Sequence, residues 1–95
     1  MTAARIDMIR TRLSTALTPE HLVISDESHK HAGHAGAQGG GGHFNVTVVA
    51  KAFINLGLLA RHRLIYDALA REMHSDIHAL SIRALTPEEF DPSKD

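Results

Sequence analysis

"HFNVTVVA", residues 43–50, sets Phe44, Val46 and Val48 on one parity and Asn45 and Thr47 on the other. Apolar and polar residues that alternate in this way, with many β-branched side chains, predict a strand with one buried face. Two further stretches read the same way. "HLVISD" (21–26) is rich in apolar and β-branched residues, and "IHALSIR" (77–83) alternates again. Three strands are therefore expected, and the segments between them decide how they are arranged.

Ahead of the first strand, Ile6, Ile9, Leu13 and Leu17 recur at i, i+3, i+7 and i+11, one face of an amphipathic helix, with Arg5, Asp7, Arg10 and Arg12 elsewhere around it. Thr18-Pro19 closes that helix near Leu17, because proline lacks a donor and forces its predecessor out of the helical region. Between the second and third strands, Leu58, Ile65, Leu69 and Met73 share one stripe, which predicts a helix from Leu58 to about Met73, with Gly57 marking the turn before it. His62 falls inside that stripe and reads as core packing, while Arg61 and Arg63 flank it on more exposed faces. Two arginines in the first turns oppose the helix dipole, at about 0.3–1 kcal/mol each on an exposed surface, which a nearby anion or surface carboxylate would offset. After the third strand, "TPEE" (86–89) offers Thr86 as N-cap, Pro87 as the first helical residue and Glu89 to complete a capping box.

The order α-β-β-α-β predicts an α/β (α+β) fold, a three-stranded mixed sheet with helices on one face. Strands joined through a helix favour parallel pairing, so the second and third should begin at the same edge. The 95 residues make one domain, 1–95, with a flexible loop over about 28–42 and a frayed tail at 91–95.

Composition narrows the function. The formal charge is -1 with eight histidines counted neutral, which at neutral pH does not favour nucleic acid. There is no cysteine, so soft-metal chemistry must borrow sulfur from another molecule. No apolar run approaches the roughly 20 residues that span a bilayer, and "MTAARIDMIR" lacks the apolar centre of a secretory signal, so the expected location is cytoplasmic with no membrane partner. No G-x-S-x-G elbow is present, and the chain reads as non-enzymatic, without a small-molecule substrate.

The segment "DESHKHAGHAGAQGGGG" (26–42) carries His29, His31 and His34. Its H-x-H-x-x-H spacing could bind zinc, copper or nickel through neutral imidazoles, at the cost of ordering a glycine-rich stretch; a solvated loop is the other reading. The glycine run leads into a strand rather than a helix N-terminus, which excludes a phosphate cradle. The parallel arrangement would bring His78, second residue of the third strand, to the edge where this loop ends. By parity His78 shares a face with Leu80 and Ile82, so the pattern alone favours a partly buried, hydrogen-bonded histidine over a ligand. His43 and His21 open their strands less well placed, and His74 suits the dipole at the end of the second helix.

Taken together, "DESHKHAGH", "HF" opening a strand, Phe53 leading into "RHR" (61–63), and "IHALSI" followed by "TPEE" closely resemble the BolA family, over nearly the whole chain to about Phe90. The resemblance implies a KH-like domain that pairs with a monothiol glutaredoxin to share a [2Fe-2S] cluster, with glutaredoxin and glutathione supplying thiolates and this chain imidazole. In that pattern His31 matches the loop ligand and His78 the ligand opening the last strand; His34 and His29 are extra imidazoles, so the identity of the loop ligand stays open. The family often has glycine where this chain has Asn55, a residue that tolerates left-handed backbone better than most. The resemblance also implies an alternative, a nucleic-acid-binding transcription regulator of stress and morphology, in which Lys51, Asn55, Arg61 and Arg63 contact DNA phosphate or a partner. An ordinary solvated surface is the competing reading of the three cations among them.

Overall fold

Helix α1, Thr2–Leu17, turns one apolar stripe inward: Ile9, Leu13 and Leu17 are buried and Ile6 packs beside them. It stops where expected. Thr18 takes a left-handed φ of 45°, its amide still donates to the Ser14 carbonyl at 3.1 Å, and Pro19 cannot continue the helix. The computed structural model describes residues 2–27, 42–74 and 77–90. The expected loop over residues 28–41 and the expected tail at 91–95 lie outside the described residues, as does the placement of the side chains of His74 and His78.

Three strands follow the alternation read from sequence: β1 (His21–Asp26), β2 (Gly42–Val49) and β3 (Ile77–Leu85). They form one sheet in the order β1-β2-β3. β1 runs antiparallel to β2, with His21 opposite Val49 and Asp26 opposite Phe44, and β3 runs parallel to β2, as a helical crossover requires. Phe44, Val46 and Val48 point into the core against Ile9 and Leu13 of α1 and Ile65 and Leu69, with Phe53 closing the cluster. Burial of each such side chain contributes about 1.5–3 kcal/mol.

Between β2 and β3 come a 3-10 helix at Lys51–Phe53, helix α2 (Leu58–Ala68) and a second 3-10 helix at Glu72–His74. Helix α2 is thus shorter than the expected run to Met73. Its C-cap Leu69 leaves helical geometry at φ -106°, ψ 13°, and the tighter coil that follows still turns Met73 onto the core while burying Glu72. The inward row of α2 is Arg61 and Ile65, continued by Leu69, at i, i+4 and i+8. Leu58, expected in the stripe, is 67% exposed, because the inward row of α2 begins only at Arg61.

On the opposite face of the sheet, Val23 and Ser25 meet solvent, and the C-terminal turn covers one corner. Phe90 lies against the His21 ring with centroids 4.6 Å apart, and Val49, paired with His21, is fully buried. That turn carries the anticipated capping box. The Thr86 amide donates to Glu89 Oε1 at 2.8 Å and the Glu89 amide to Thr86 Oγ1 at 3.3 Å, closing a single short turn. Among the described residues, no helix is long and apolar enough to cross a membrane.

Candidate functional site

One edge of the sheet gathers the ends of three segments. The Glu27 amide, just past β1, donates to the His43 carbonyl at 2.8 Å, and Gly42 pairs with Ile77, the first residue of β3. Glu27 and Gly42, which flank residues 28–41 in sequence, therefore stand at the edge where β3 begins, as the parallel crossover predicts.

At that edge the β2–β3 ladder shifts register: Gly42 pairs with Ile77 and His43 with Ala79, which leaves His78 as the extra residue of a bulge. The parity argument for His78 rests on an unbroken ladder, and the shift interrupts that ladder beside it. Ile77 is buried and Leu80 packs on the core although they are an odd number apart, which an unbroken strand forbids. The metal candidates His31 and His34, with His29, lie outside the described residues, and so does the imidazole of His78. Among the described residues, no group of three or more histidine, cysteine or acidic side chains could hold a metal. The donors that this chain can bring to an iron site are imidazoles, never thiolates, because it has no cysteine. That donor set fits one half of a mixed cluster shell, since paired histidines can replace paired cysteines on one iron of a [2Fe-2S] centre.

The far end of the sheet brings together three of the four residues expected to meet nucleic acid or a partner. Lys51, Asn55 and Arg61 line a groove of about 420 Å³ between the turn after β2 and the turn after β3, with Ile54 and Thr86–Glu89 completing its walls. Arg63 is exposed on α2 but does not line the groove. Asn55 adopts φ 67°, so the left-handed turn that the resemblance associates with glycine is kept by asparagine. Lys51 is 78% exposed and only loosely paired with Glu20, at 3.9 Å.

Arg61 departs from expectation. Rather than sitting on an exposed face, it is buried, and its guanidinium is directed into the protein. Nε donates to the Leu56 carbonyl at 2.8 Å and Nη1 to the Ala84 carbonyl at 3.1 Å, while Nη1 and Nη2 meet Glu89 Oε1 and Oε2 at 2.6 and 3.3 Å. The carboxylate expected to offset arginines near the helix start is therefore Glu89. The hydrogen bonds from Arg61, then the Thr86 amide, hold its pKa down at about 2 against an ordinary 4.5. A guanidinium committed to two carbonyls and a carboxylate is a structural clasp, which removes Arg61 from the phosphate contacts expected of it.

Sequence reasoning missed Glu72. It is buried at 2% exposure, accepts from Arg12 Nε at 3.3 Å through Oε2, and leaves Oε1 without a partner among the described residues. Only the apolar positions around it, Leu69 and Met73, hinted that this glutamate faces inward.

Against known proteins, the sequence model of one family, described as BolA-like protein, matches residues 13–89. The chain is 47% identical over 94 residues to the chloroplastic protein BOLA1 of Arabidopsis thaliana, covering 96% of this chain and 58% of that protein. It is 40% identical over 84 residues to the DNA-binding transcriptional regulator BolA of Vibrio cholerae, covering 88% of this chain and 76% of that protein. Among solved structures, BolA1 from Arabidopsis thaliana superposes with a TM-score of 0.79 at 40% identity, covering 92% of this chain and 96% of that one. The chain thus spans little more than half the length of the chloroplastic relative.

Proposed function

The chain belongs to the BolA-like family, and from that premise we propose that it is a non-enzymatic adaptor that binds a shared [2Fe-2S] cluster with a monothiol glutaredoxin, in iron-sulfur cluster handling and iron or stress regulation. The observation that carries this reading is the common edge at which Glu27 and Gly42, on either side of residues 28–41, stand beside the start of β3 and its bulge at His78. His78 and one imidazole of the segment, His31 or His34, would hold one iron, and glutaredoxin and glutathione would supply thiolates that a cysteine-free chain lacks. When bound, the cluster supplies electron storage and a metal core that can be passed on. The residues of this chain bind and orient it.

The test is co-expression with a monothiol glutaredoxin in the presence of glutathione, followed by iron and sulfide analysis and visible absorption and circular dichroism spectra. A coloured heterodimer is expected, with spectra altered by His78→Ala and by whichever of His31→Ala and His34→Ala removes the loop ligand. A heterodimer whose spectra are indifferent to all three substitutions would sink the assignment.

A second reading, a nucleic-acid-binding regulator, is favoured by the likeness to the Vibrio cholerae DNA-binding regulator and by exposed Lys51 and Arg63. The clasp on Arg61 and the Glu88 and Glu89 carboxylates beside the groove weigh against it. A duplex bound through Lys51 and Arg63 loses affinity steeply with salt, with a smaller slope in Lys51→Ala and Arg63→Ala. Binding indifferent to salt removes this reading.

A further inference from the structure

Helix α2 begins with an apolar surface that none of the described residues covers. Leu58 and Leu59 are each 67% exposed, and Ile54, in the turn before them, is 51% exposed. Arg63 and Tyr66 continue the row from Leu59 at i+4 and i+7, with Tyr66 41% exposed. The chain presents these residues firmly, because the left-handed Asn55 and the bond from Arg61 Nε to the Leu56 carbonyl fix the turn that carries Ile54. A contiguous exposed apolar patch marks an interaction site, and Tyr66 and Arg63 beside it are of the residue types enriched at energetically important interface positions.

The charge around this row selects its occupant. The first turn of α2 has no acidic residue and no side-chain cap, so its amide end is electropositive. Arg63 takes part in no ion pair among the described residues, including none with Asp67 one turn on. Lys51 adds a second exposed cation. A polyanion is a poor match, because three apolar side chains occupy the surface and Glu88 lies exposed beside the adjoining groove. Isolated carboxylates set among apolar side chains match it well.

We infer that the N-terminal half of α2, centred on Ile54, Leu58, Leu59 and Arg63, is a docking surface for an acidic amphipathic helix of a partner protein. This surface lies beyond the end of β2, whereas the His78 edge lies at its start. The eight residues of β2 separate the two, about 23 Å from first to last at roughly 3.3 Å per step. The chain therefore offers two sites far enough apart to be filled together, and the second goes beyond the cluster reading and stands without it.

Two labelled synthetic helices test this against the full chain, one carrying leucines on one face and glutamates on the other, the second with lysines in place of the glutamates. Fluorescence anisotropy measures binding, and amide chemical shifts locate it. The acidic helix is expected to bind with shifts concentrated in residues 51–66, and Leu58→Ser with Leu59→Ser should weaken it about tenfold or more. Arg63→Glu should weaken the acidic helix and strengthen the basic one, which separates charge matching from stickiness. Equal binding of both helices, shifts centred on residues 42–43 and 77–80, or binding indifferent to these variants overturns the inference. Tighter binding of a DNA duplex or of anionic vesicles at the same residues overturns it as well. Cluster assembly with glutaredoxin by the double leucine variant is expected to be unchanged; its loss would show a single continuous interface and defeat the separation, whereas absence of a cluster in the unsubstituted chain bears only on the cluster reading.

Discussion

Arg61 and Glu89 meet fork to fork, Nη1 to Oε1 at 2.6 Å and Nη2 to Oε2 at 3.3 Å, across 28 residues of sequence. The same carboxylate accepts the Thr86 amide, so one acidic group ties the start of α2 to the turn that follows β3. Its pKa is held at about 2 against 4.5 by Arg61 first and the Thr86 amide second. A carboxyl group with a depressed folded pKa contributes stability that is fully present above its unfolded value and is lost as pH falls through the folded one. Between about pH 4.5 and 2, folding stability should therefore fall as Glu89 takes up a proton. Denaturant titrations across that range should show a flatter profile for Glu89→Gln than for the unsubstituted chain. Parallel profiles would mean that the pair is not intact in solution.

Arg61 distinguishes a clasp from a surface cation by what lysine can replace. Lysine keeps the charge but has no planar fork, and it cannot serve the Leu56 and Ala84 carbonyls together with both oxygens of Glu89. Arg61→Lys should cost about 1.5–3 kcal/mol, the loss expected when charge-assisted bonds to partly buried groups are removed. Chemical denaturation measures this directly. A change within about 0.5 kcal/mol, typical of surface substitutions, would return Arg61 to the solvated face on which its neighbour Arg63 stands.

Glu72 and Arg12 pose a different balance, because one partner is buried and the other is not. The side chain of Glu72 is 2% exposed and that of Arg12 45%, and Glu72 Oε1 has no partner among the described residues. Removing the arginine leaves a buried carboxylate unsatisfied, whereas removing the carboxylate for an apolar group of similar volume relieves the burial of charge. Arg12→Ala should cost about 1–3 kcal/mol in the unsubstituted chain, and much less in a Glu72→Met background, where Glu72→Met itself is near neutral or stabilising. A double-mutant cycle without coupling between the two positions would contradict this account.

The strands and α1 were legible because their signals are local. Alternation at 44–48 and the i, i+3, i+7 row of Ile6, Ile9 and Leu13 depend only on neighbouring residues, and β1 begins and ends at His21 and Asp26 as read. The topology was legible for a related reason, since a helix between two strands restricts how they can pair. Other features depend on contacts that spacing does not encode. Arg61 looked exposed because arginine near a helix start normally is, and its carboxylate comes from a turn 28 residues away. Leu58 looked buried because the stripe was extended over the first turn, whereas the inward row begins at Arg61. At His78, parity assumed an unbroken ladder, and the register shift between Gly42 and His43 breaks it. The edge on which the candidate cluster site depends was thus readable from topology, but the register shift beside His78 was not.

Asn55 carries the last test, because it stands where the family resemblance associates glycine and holds φ 67°. Left-handed backbone costs an ordinary L-residue about 1–2 kcal/mol, asparagine less and glycine almost nothing. The side chain of Asn55 is exposed, so substitutions there act through the backbone rather than through lost packing. Asn55→Gly should leave stability unchanged or slightly higher, while Asn55→Val, β-branched and ill suited to positive φ, should lower it by about 1–2 kcal/mol. The same turn carries Ile54 and the carbonyl that receives Arg61 Nε, so the valine variant should also disturb the amide shifts of residues 54–61 more than the glycine variant does. Equal stability for the valine and glycine variants would show that the turn is not held in the left-handed region, and that the clasp closes around a different backbone.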